Sequence, residues 1–225
     1  AAPLVERSLE LAGPSSGATL SLAELHLQRG DAAASEATLL AAVEAAPKAF
    51  KGLLLSKLGH ARLCQSKPDE ARETYEAALA RLRDPWPVDV LVHLGRLALD
   101  AGDASRARFV FLHASRLQPS CSTWLGAGTA CLQLGEVAEA EECLSEANVL
   151  NNRDAEVWVQ LALLCAREQR LPETEQAVKF ALRFDTDNAV VLGQIRDALL
   201  HTGSWELAET VQQRLQELTP GEANP

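Results

Sequence analysis

The sequence predicts an all-α protein, a right-handed α-solenoid built from helix-turn-helix repeats. The first observation is that matching residues recur at one constant interval along the chain: Trp124 and Trp158, Cys131 and Cys165, Ala147 and Ala181. The second is a series of small residues with nearly the same interval: Ser35, Ala71, Ala107, Ala140, Thr174 and Ala208. A further series keeps step with it: Ala42, Ala78, Ala114, Ala147 and Ala181. Two series of small residues with the same spacing indicate a structural repeat.

The interval matches the period of the tetratricopeptide repeat (TPR), in which two antiparallel helices cross closely and stack on the next pair. The crossing requires small side chains, which Gly128 on a first helix and Ala140 on a second helix supply. Gly135 is expected to form the turn between them, because glycine readily adopts the left-handed conformation at a helix end. In the next repeat Gln169 replaces this glycine. Trp124 is expected to fill the gap against the neighbouring hairpin.

The repeat register predicts one elongated domain with a short segment at each end. Residues 1–14 are expected to form the second helix of a truncated upstream repeat, because Gly13-Pro14 closes a lone helical stretch. Residues 16–222 are expected to form the TPR solenoid, followed by a frayed tail at 221–225. The predicted solenoid contains six hairpins, at residues 16–51, 52–87, 88–120, 121–154, 155–188 and 189–222.

Helix starts within the hairpins carry local signals. Asp31 and Asp103 are expected to cap second helices, because an aspartate side chain accepts hydrogen bonds from the free N–H groups of a first turn. Pro68 and Pro172 are expected to open helices, where a missing N–H costs nothing. In the last hairpin Arg196 takes the tight crossing position, so this unit is expected to act as a polar cap.

Composition and charge exclude several classes of partner. The 225 residues are 47% hydrophobic and carry 21 basic against 31 acidic side chains, a net charge of −10. Such a charge repels phosphate backbones and anionic lipids, so neither nucleic acid nor a membrane is predicted as a partner. No apolar run is long enough to span a bilayer, and the N-terminus lacks a signal-peptide pattern. The prediction is a soluble, cytoplasmic location.

The sulfur-containing residues add two expectations. The cysteines form no CxxC pair, and they are Cys64, Cys121, Cys131, Cys143 and Cys165. They are predicted to be reduced core residues rather than disulfides or a metal site. Methionine is absent, including at position 1, which suggests a fragment of a longer protein.

No pattern in the sequence indicates catalysis. The glycines never gather into GxGxxG or GxxxxGK, and the five histidines are scattered without HExxH spacing. The Gly-Ala-Gly run at 126–128 lies within a predicted helix, where packing explains it. The acidic face formed by Glu139, Glu141, Glu142 and Glu146 is typical of a solvated surface. The prediction is a protein that is not an enzyme and has no cofactor, no metal site and no small-molecule substrate.

The concave wall of a TPR array offers candidate partner-binding residues. First-helix positions that line this wall give a mostly aliphatic stripe of Leu20, Val92, Leu125, Val159 and Leu163. A basic spot is set into this stripe by residues of adjacent repeats, namely Lys57, His60, His93 and Arg96. Charge-assisted hydrogen bonds suit such a spot to a chain terminus, an acidic segment or a phosphate. The alternative is that these side chains pair with Asp89, Asp100 or other local acids.

Two stretches go beyond the generic repeat pattern: SEANVLNNRDAEVWVQLALLC at 145–165 and EQAVKFAL at 175–182. They resemble the C-terminal repeat region of the cilia- and flagella-associated protein 70 family, and the specific part covers roughly residues 140–184. The alanine-rich composition resembles that of a green-alga member. The resemblance implies a non-enzymatic structural component of the cilium or flagellum axoneme, in the central apparatus or dynein-associated structures, with other axonemal proteins as partners. No ligand residue carries over, because the shared residues mainly build the repeat.

Two functions remain open from the sequence. The first is a protein–protein interaction scaffold in the motile-cilium axoneme, needed for ciliary beating. The alternative is a soluble TPR adaptor or co-chaperone domain that captures a peptide tail in its concave groove. The asparagines of the two-carboxylate clamp that grips chaperone tails are missing here, which makes the alternative the weaker candidate.

Overall fold

The computed structural model describes residues 16–83, 85–184 and 189–218, and these residues form twelve α-helices and no β-strand. The helices are α1 (Ser16–Gln28), α2 (Ala32–Ala45), α3 (Lys48–Cys64), α4 (Pro68–Leu79), α5 (Val88–Asp100), α6 (Ala104–Leu117), α7 (Cys121–Leu134), α8 (Val137–Leu150), α9 (Ala155–Arg167), α10 (Leu171–Arg183), α11 (Ala189–Thr202) and α12 (Trp205–Leu218). The all-α prediction is confirmed. The predicted upstream helix at 1–14 and the tail at 221–225 lie outside the described residues.

The chain divides into two compact units, residues 1–97 and 98–225, and the boundary lies within α5. In the first unit α1 packs on α2, α2 on α3, and α3 on α4, while α1 also contacts α3. In the second unit α7 packs on α8 and α9 on α10, while α9 also contacts α7 and α11. Each unit therefore combines packing within a helix pair with packing of first helices on one another, as a TPR array requires.

Small residues allow the paired helices to approach each other. An added Cβ at Gly128 in α7 would lie only 2.7 Å from the Leu144 side chain in α8, so any larger residue would displace Leu144 or push the helices apart. Ala140 and Ala147, also in α8, are completely buried. The structure thus confirms the close crossing that the sequence predicts for Gly128 and Ala140.

The turn after the first helix of a pair has the same backbone geometry in successive repeats. Gly135 ends α7 with φ of 79°, and its N–H donates to the carbonyl of Leu132 at 3.1 Å. The equivalent residues, Gln169 and Gly203, also have positive φ, at 56° and 80°. A side chain makes this conformation unfavourable by about 1–2 kcal/mol. The repeat geometry therefore holds Gln169 in a conformation that glycine adopts without strain.

The two predicted aspartate caps are present. Asp31 Oδ1 accepts a hydrogen bond from the Ala34 N–H at 2.9 Å, at the start of α2. Asp103 Oδ1 accepts from the Arg106 N–H at 3.0 Å, at the start of α6. Because each cap satisfies a donor that the helix itself cannot pair, it fixes where the second helix of its hairpin begins.

Each unit has its own hydrophobic core between the stacked helices. In the first unit a buried cluster joins α2 to α3 through Leu39, Leu54 and Leu58. In the second unit one cluster extends from α7 to α9 and another from α9 to α12. No pair buries its apolar face by itself, so the surface residues of every helix are positioned by its neighbours.

Replacing Ala140 by leucine is expected to lower the free energy of unfolding by about 1–3 kcal/mol, because the added atoms overpack a completely buried crossing. Urea denaturation followed by far-UV circular dichroism measures the change. Ala138→Leu is the matched control, since Ala138 is an exposed residue of the same helix and should change stability by less than about 0.5 kcal/mol. Equal effects of the two substitutions would contradict the close crossing at Ala140.

Candidate partner-binding surface

Five of the candidate residues lie on two helices of the first unit. Lys57 and His60 are on α3, and Val92, His93 and Arg96 are on α5. The ring centroids of His60 and His93 are 5.4 Å apart, so the two helices bring the histidines into contact. These five residues are called the α3–α5 cluster below.

Tyr75 of α4 packs against the α3–α5 cluster. Its ring stacks on His93, with centroids 5.6 Å apart and planes 10° from parallel. It also lies close to α3, because a Cβ added at Gly59 would be 2.8 Å from the Tyr75 ring. The repeat pattern gives no sign of a contact between Tyr75 and His93, which becomes visible only in three dimensions.

Burial disfavours the charged form of two rings that meet at the cluster, those of His93 and Tyr75. Burial, with the neighbouring His60 acting in the same direction, lowers the pKa of His93 below its usual value of 6.5. Burial also raises the pKa of the Tyr75 hydroxyl, which therefore stays protonated at pH 7. The Tyr75 hydroxyl and the Nδ1 atom of His60 are buried without a hydrogen-bond partner among the described residues. The rings thus form a mainly apolar surface in which these two polar atoms lack a partner among the described residues.

The two predicted cations of the cluster differ in their surroundings. Lys57 Nζ lies 3.0 Å from Glu24 Oε1 of α1, so this lysine pairs with a local acid. Arg96 is exposed and forms no ion pair with any residue in the described part of the chain. Arg96 is therefore the side chain of the cluster that can meet an anionic group without losing an existing partner.

The remaining two candidates, Leu125 and Val159, belong to the second unit and are buried. Leu125 is 7% exposed and packs in the cluster that joins α7 to α9, while Val159 is completely buried in the cluster that extends to α12. The sequence predicted that both side chains line an open aliphatic stripe. The structure corrects this prediction, because packing between successive helix pairs covers both side chains. A docked partner has no access to Val159.

One group of side chains in the described residues has the composition of a metal site. Ligand atoms of Cys131, Glu136 and Glu139 lie within 4.8 Å of one another. Arg108 pairs with both carboxylates, and its distance to Glu139 is 3.4 Å. Burial raises the pKa of the Cys131 thiol to about 12, so this sulfur is protonated at neutral pH. The group is better suited to an ion pair than to a metal centre.

The cysteines are free thiols, and three of them fit the predicted core role. Cys131, Cys143 and Cys165 are buried, and burial raises the pKa of each thiol. Cys121 is partly buried. Cys64 is exposed, with its sulfur 4.0 Å from Nε2 of His60, so the core prediction is wrong for this residue.

A comparison with protein families matches residues 53–223 to the C-terminal domain of cilia- and flagella-associated protein 70. The chain belongs to this family. Residues 1–50 match a family of tetratricopeptide repeats. No helix among the described residues of this domain is long and apolar enough to cross a membrane.

Two mammalian relatives are themselves named cilia- and flagella-associated protein 70. The Homo sapiens protein is 34% identical over 184 residues, which cover 81% of this chain and 16% of the human protein. The Macaca fascicularis protein is 37% identical over 129 residues, which cover 57% of this chain and 13% of the macaque protein. The chain thus spans less than a fifth of the length of either relative. Its green-alga origin stays a prediction.

A solved structure shows the same fold. The crystal structure of a tetratricopeptide repeat protein from Parabacteroides merdae superposes with a TM-score of 0.74 and covers 95% of this chain and 82% of that protein. The two sequences are 19% identical, so the likeness concerns the fold alone. It confirms the predicted α-solenoid of TPR units. Together, the fold and membership in the cilia- and flagella-associated protein 70 family support a role in protein–protein interaction.

In this family member, a network around Glu36 holds two other cations of the first unit, Arg62 and Lys67. Glu36 of α2 accepts hydrogen bonds from Arg62 at 2.9 Å and from Gln65 and Lys67 at 2.8 Å. Its side chain is only 12% exposed. The hydrogen bond from Lys67 lowers the pKa of Glu36 to about 2, with Arg62 and Gln65 acting in the same direction and burial opposing them. The network therefore joins α2 to α3 and to the start of α4.

Replacing Glu36 by glutamine is expected to lower the free energy of unfolding at pH 7 by about 1–3 kcal/mol. Because the pKa of Glu36 is lower in the folded chain than its ordinary value of 4.5, its stabilisation is present above pH 4.5 and is lost as the pH falls toward about 2. Urea midpoints measured across this range should converge for the wild type and the variant. Glu44→Gln, at an exposed site on the same helix, is the control. A difference that does not change with pH would contradict the ionised Glu36 network.

Proposed function

We propose that the chain is a non-catalytic scaffold in the axoneme of motile cilia or flagella, where it holds neighbouring axonemal proteins in register for ciliary beating. The observation that carries the proposal is membership in the C-terminal domain family of cilia- and flagella-associated protein 70, a name that connects its bearers with cilia and flagella. The proposed location is the central apparatus or a dynein-associated structure, and the proposed partners are other axonemal proteins.

The surroundings of the titratable groups support a binding role rather than catalysis. Catalytic groups need a free nucleophile or base beside a pocket that holds the reacting atoms. In the described residues the carboxylate of Glu36 is held by three hydrogen bonds, and Arg108 pairs with Glu136 and Glu139. The buried Cys131 thiol is protonated and therefore a poor nucleophile. These groups stabilise the fold, and the stacked helices offer their surfaces to partners.

The α3–α5 cluster is the proposed contact surface of the first unit. Arg96 supplies an exposed positive charge, and half-buried Val92 and His93 supply apolar area beside it. An acidic segment, a chain terminus or a phosphorylated side chain of a partner fits this combination, because a guanidinium forms strong hydrogen bonds with such groups. The same cluster favours a second candidate function, capture of an acidic peptide tail by a soluble TPR adaptor.

A capture experiment tests the scaffold proposal. The tagged chain, incubated with a salt extract of detergent-treated axonemes, is expected to retain axonemal proteins that mass spectrometry identifies. The Lys57→Glu/Arg96→Glu variant should lose those proteins, because the substitutions reverse the charge of the α3–α5 cluster.

Lys48→Glu/Arg81→Glu is the matched control, since it makes the same change in net charge at two exposed residues outside the cluster. Retention of chaperones alone would favour the adaptor instead. Retention of no axonemal protein by the wild-type chain would contradict the scaffold proposal. Retention by all three proteins would contradict the role of the α3–α5 cluster.

A further inference from the structure

Two tryptophans at the same repeat position have different surroundings. Trp158 stacks on Phe180 with ring centroids 4.5 Å apart, and its indole N–H donates to the Asn152 carbonyl at 2.7 Å. Trp124 occupies the equivalent position in the preceding repeat and is half-buried. Among the described residues no aromatic ring stacks on Trp124, and its indole N–H has no hydrogen-bond partner. The residue that corresponds to Phe180 in this repeat is Glu146.

Trp124 lines an open groove between α6 and α8, with a volume of about 870 Å³. Leu112 of α6 and Cys143 of α8 contribute apolar surface to the same groove. Glu142 and Glu146 of α8 are exposed at its edge. These five residues define what is called the acidic groove below.

The acidic groove carries carboxylates that the fold does not use. Two further glutamates of its lining already have partners, because Glu139 lies 3.4 Å from Arg108 and Glu141 lies 2.9 Å from Arg170. Glu142 and Glu146 pair with no residue in the described ranges. They are four residues apart on α8 and so project from the same side of the helix.

The lining contains one basic residue, Arg116, and four glutamates in all. The groove therefore has an excess of negative charge beside a half-buried indole on which no aromatic ring of the described residues stacks. The charge repels nucleic acid and anionic lipid headgroups. An uncharged apolar anchor would cover Trp124 but would leave Glu142 and Glu146 without partners.

We infer that the acidic groove binds a basic segment of a partner protein, with an arginine side chain stacked on Trp124 and paired with Glu142 or Glu146. A guanidinium is planar and stacks favourably on an indole, and its N–H groups can donate to a carboxylate at the same time. The arginine occupies the place that Phe180 takes against Trp158 in the next repeat. This inference rests on the proposed scaffold function and identifies the chemistry of one of its partners.

A defined peptide tests this assignment. The probe is a fluorescein-labelled alanine peptide with an arginine at every fourth position, and fluorescence anisotropy measures its binding to the chain. The same peptide with citrulline in place of arginine keeps the shape of the side chain but removes its charge. The arginine peptide is expected to bind with a sharp dependence on salt, and the citrulline peptide is not.

Variants of the chain locate the binding site. Glu142→Gln/Glu146→Gln should weaken binding of the arginine peptide by about tenfold, because both changes remove charge that faces the bound arginine. Glu156→Gln/Glu168→Gln is the matched control, at two exposed glutamates outside the groove, and should change binding by less than about twofold. Glu146→Phe should weaken binding more than Glu146→Gln does, because the phenylalanine ring would cover Trp124 as Phe180 covers Trp158. Circular dichroism checks that every variant remains folded.

Three results would overturn the inference: no binding of the arginine peptide by the wild-type chain, equal binding of the citrulline peptide, or equal binding by the Glu142→Gln/Glu146→Gln variant. A dimer that forms with rising concentration and disappears in that variant would also overturn it, since a second copy would then fill the groove. Axonemal proteins retained equally by the wild type and this variant would count against the acidic groove but leave the scaffold function standing.

Discussion

The close crossing of paired helices is the constraint on which the rest of the structure depends. Gly128 leaves no room for a side chain against Leu144, and Ala140 and Ala147 are completely buried in the same helix. A single pair of helices still leaves part of its apolar surface exposed. Stacking on the next pair buries that surface and completes the core. The crossing thus influences which side chains remain partly exposed, including Trp124, which lacks the stacked ring that Phe180 provides for Trp158.

The sequence predicted the periodic features of the fold, because they depend on backbone geometry that every repeat must satisfy. The repeat interval located the turn at Gly135, and local chemistry located the caps at Asp31 and Asp103. The burial of individual side chains could not be predicted from the repeat interval. The repeat register predicts on which face of its helix Val159 lies. Its complete burial depends on contacts with helices farther along the chain. The stacking of Tyr75 on His93 likewise requires three helices to be in place.

The ion pairs of the described residues separate structural charge from charge available for binding. Arg62 and Lys67 are held by Glu36, and Arg170 is held by Glu141. Arg96 has no such partner, nor do Glu142 and Glu146, within the ranges the structure describes. In a chain with a net charge of −10, unpaired surface carboxylates favour basic partners, while Arg96 provides a local exception. A scaffold that holds several proteins benefits from surfaces of opposite charge, because each surface rejects the partner of the other.

Hydrogen–deuterium exchange on the chain, alone and with the axonemal proteins that it retains, tests most directly the claim that its stacked helices form a docking surface. Bound partners should slow amide exchange in α3 and α5 or in α6 and α8, where the proposed contacts lie, and should leave α12 unchanged. Exchange rates that remain the same in all of these helices when partners are bound would contradict the account.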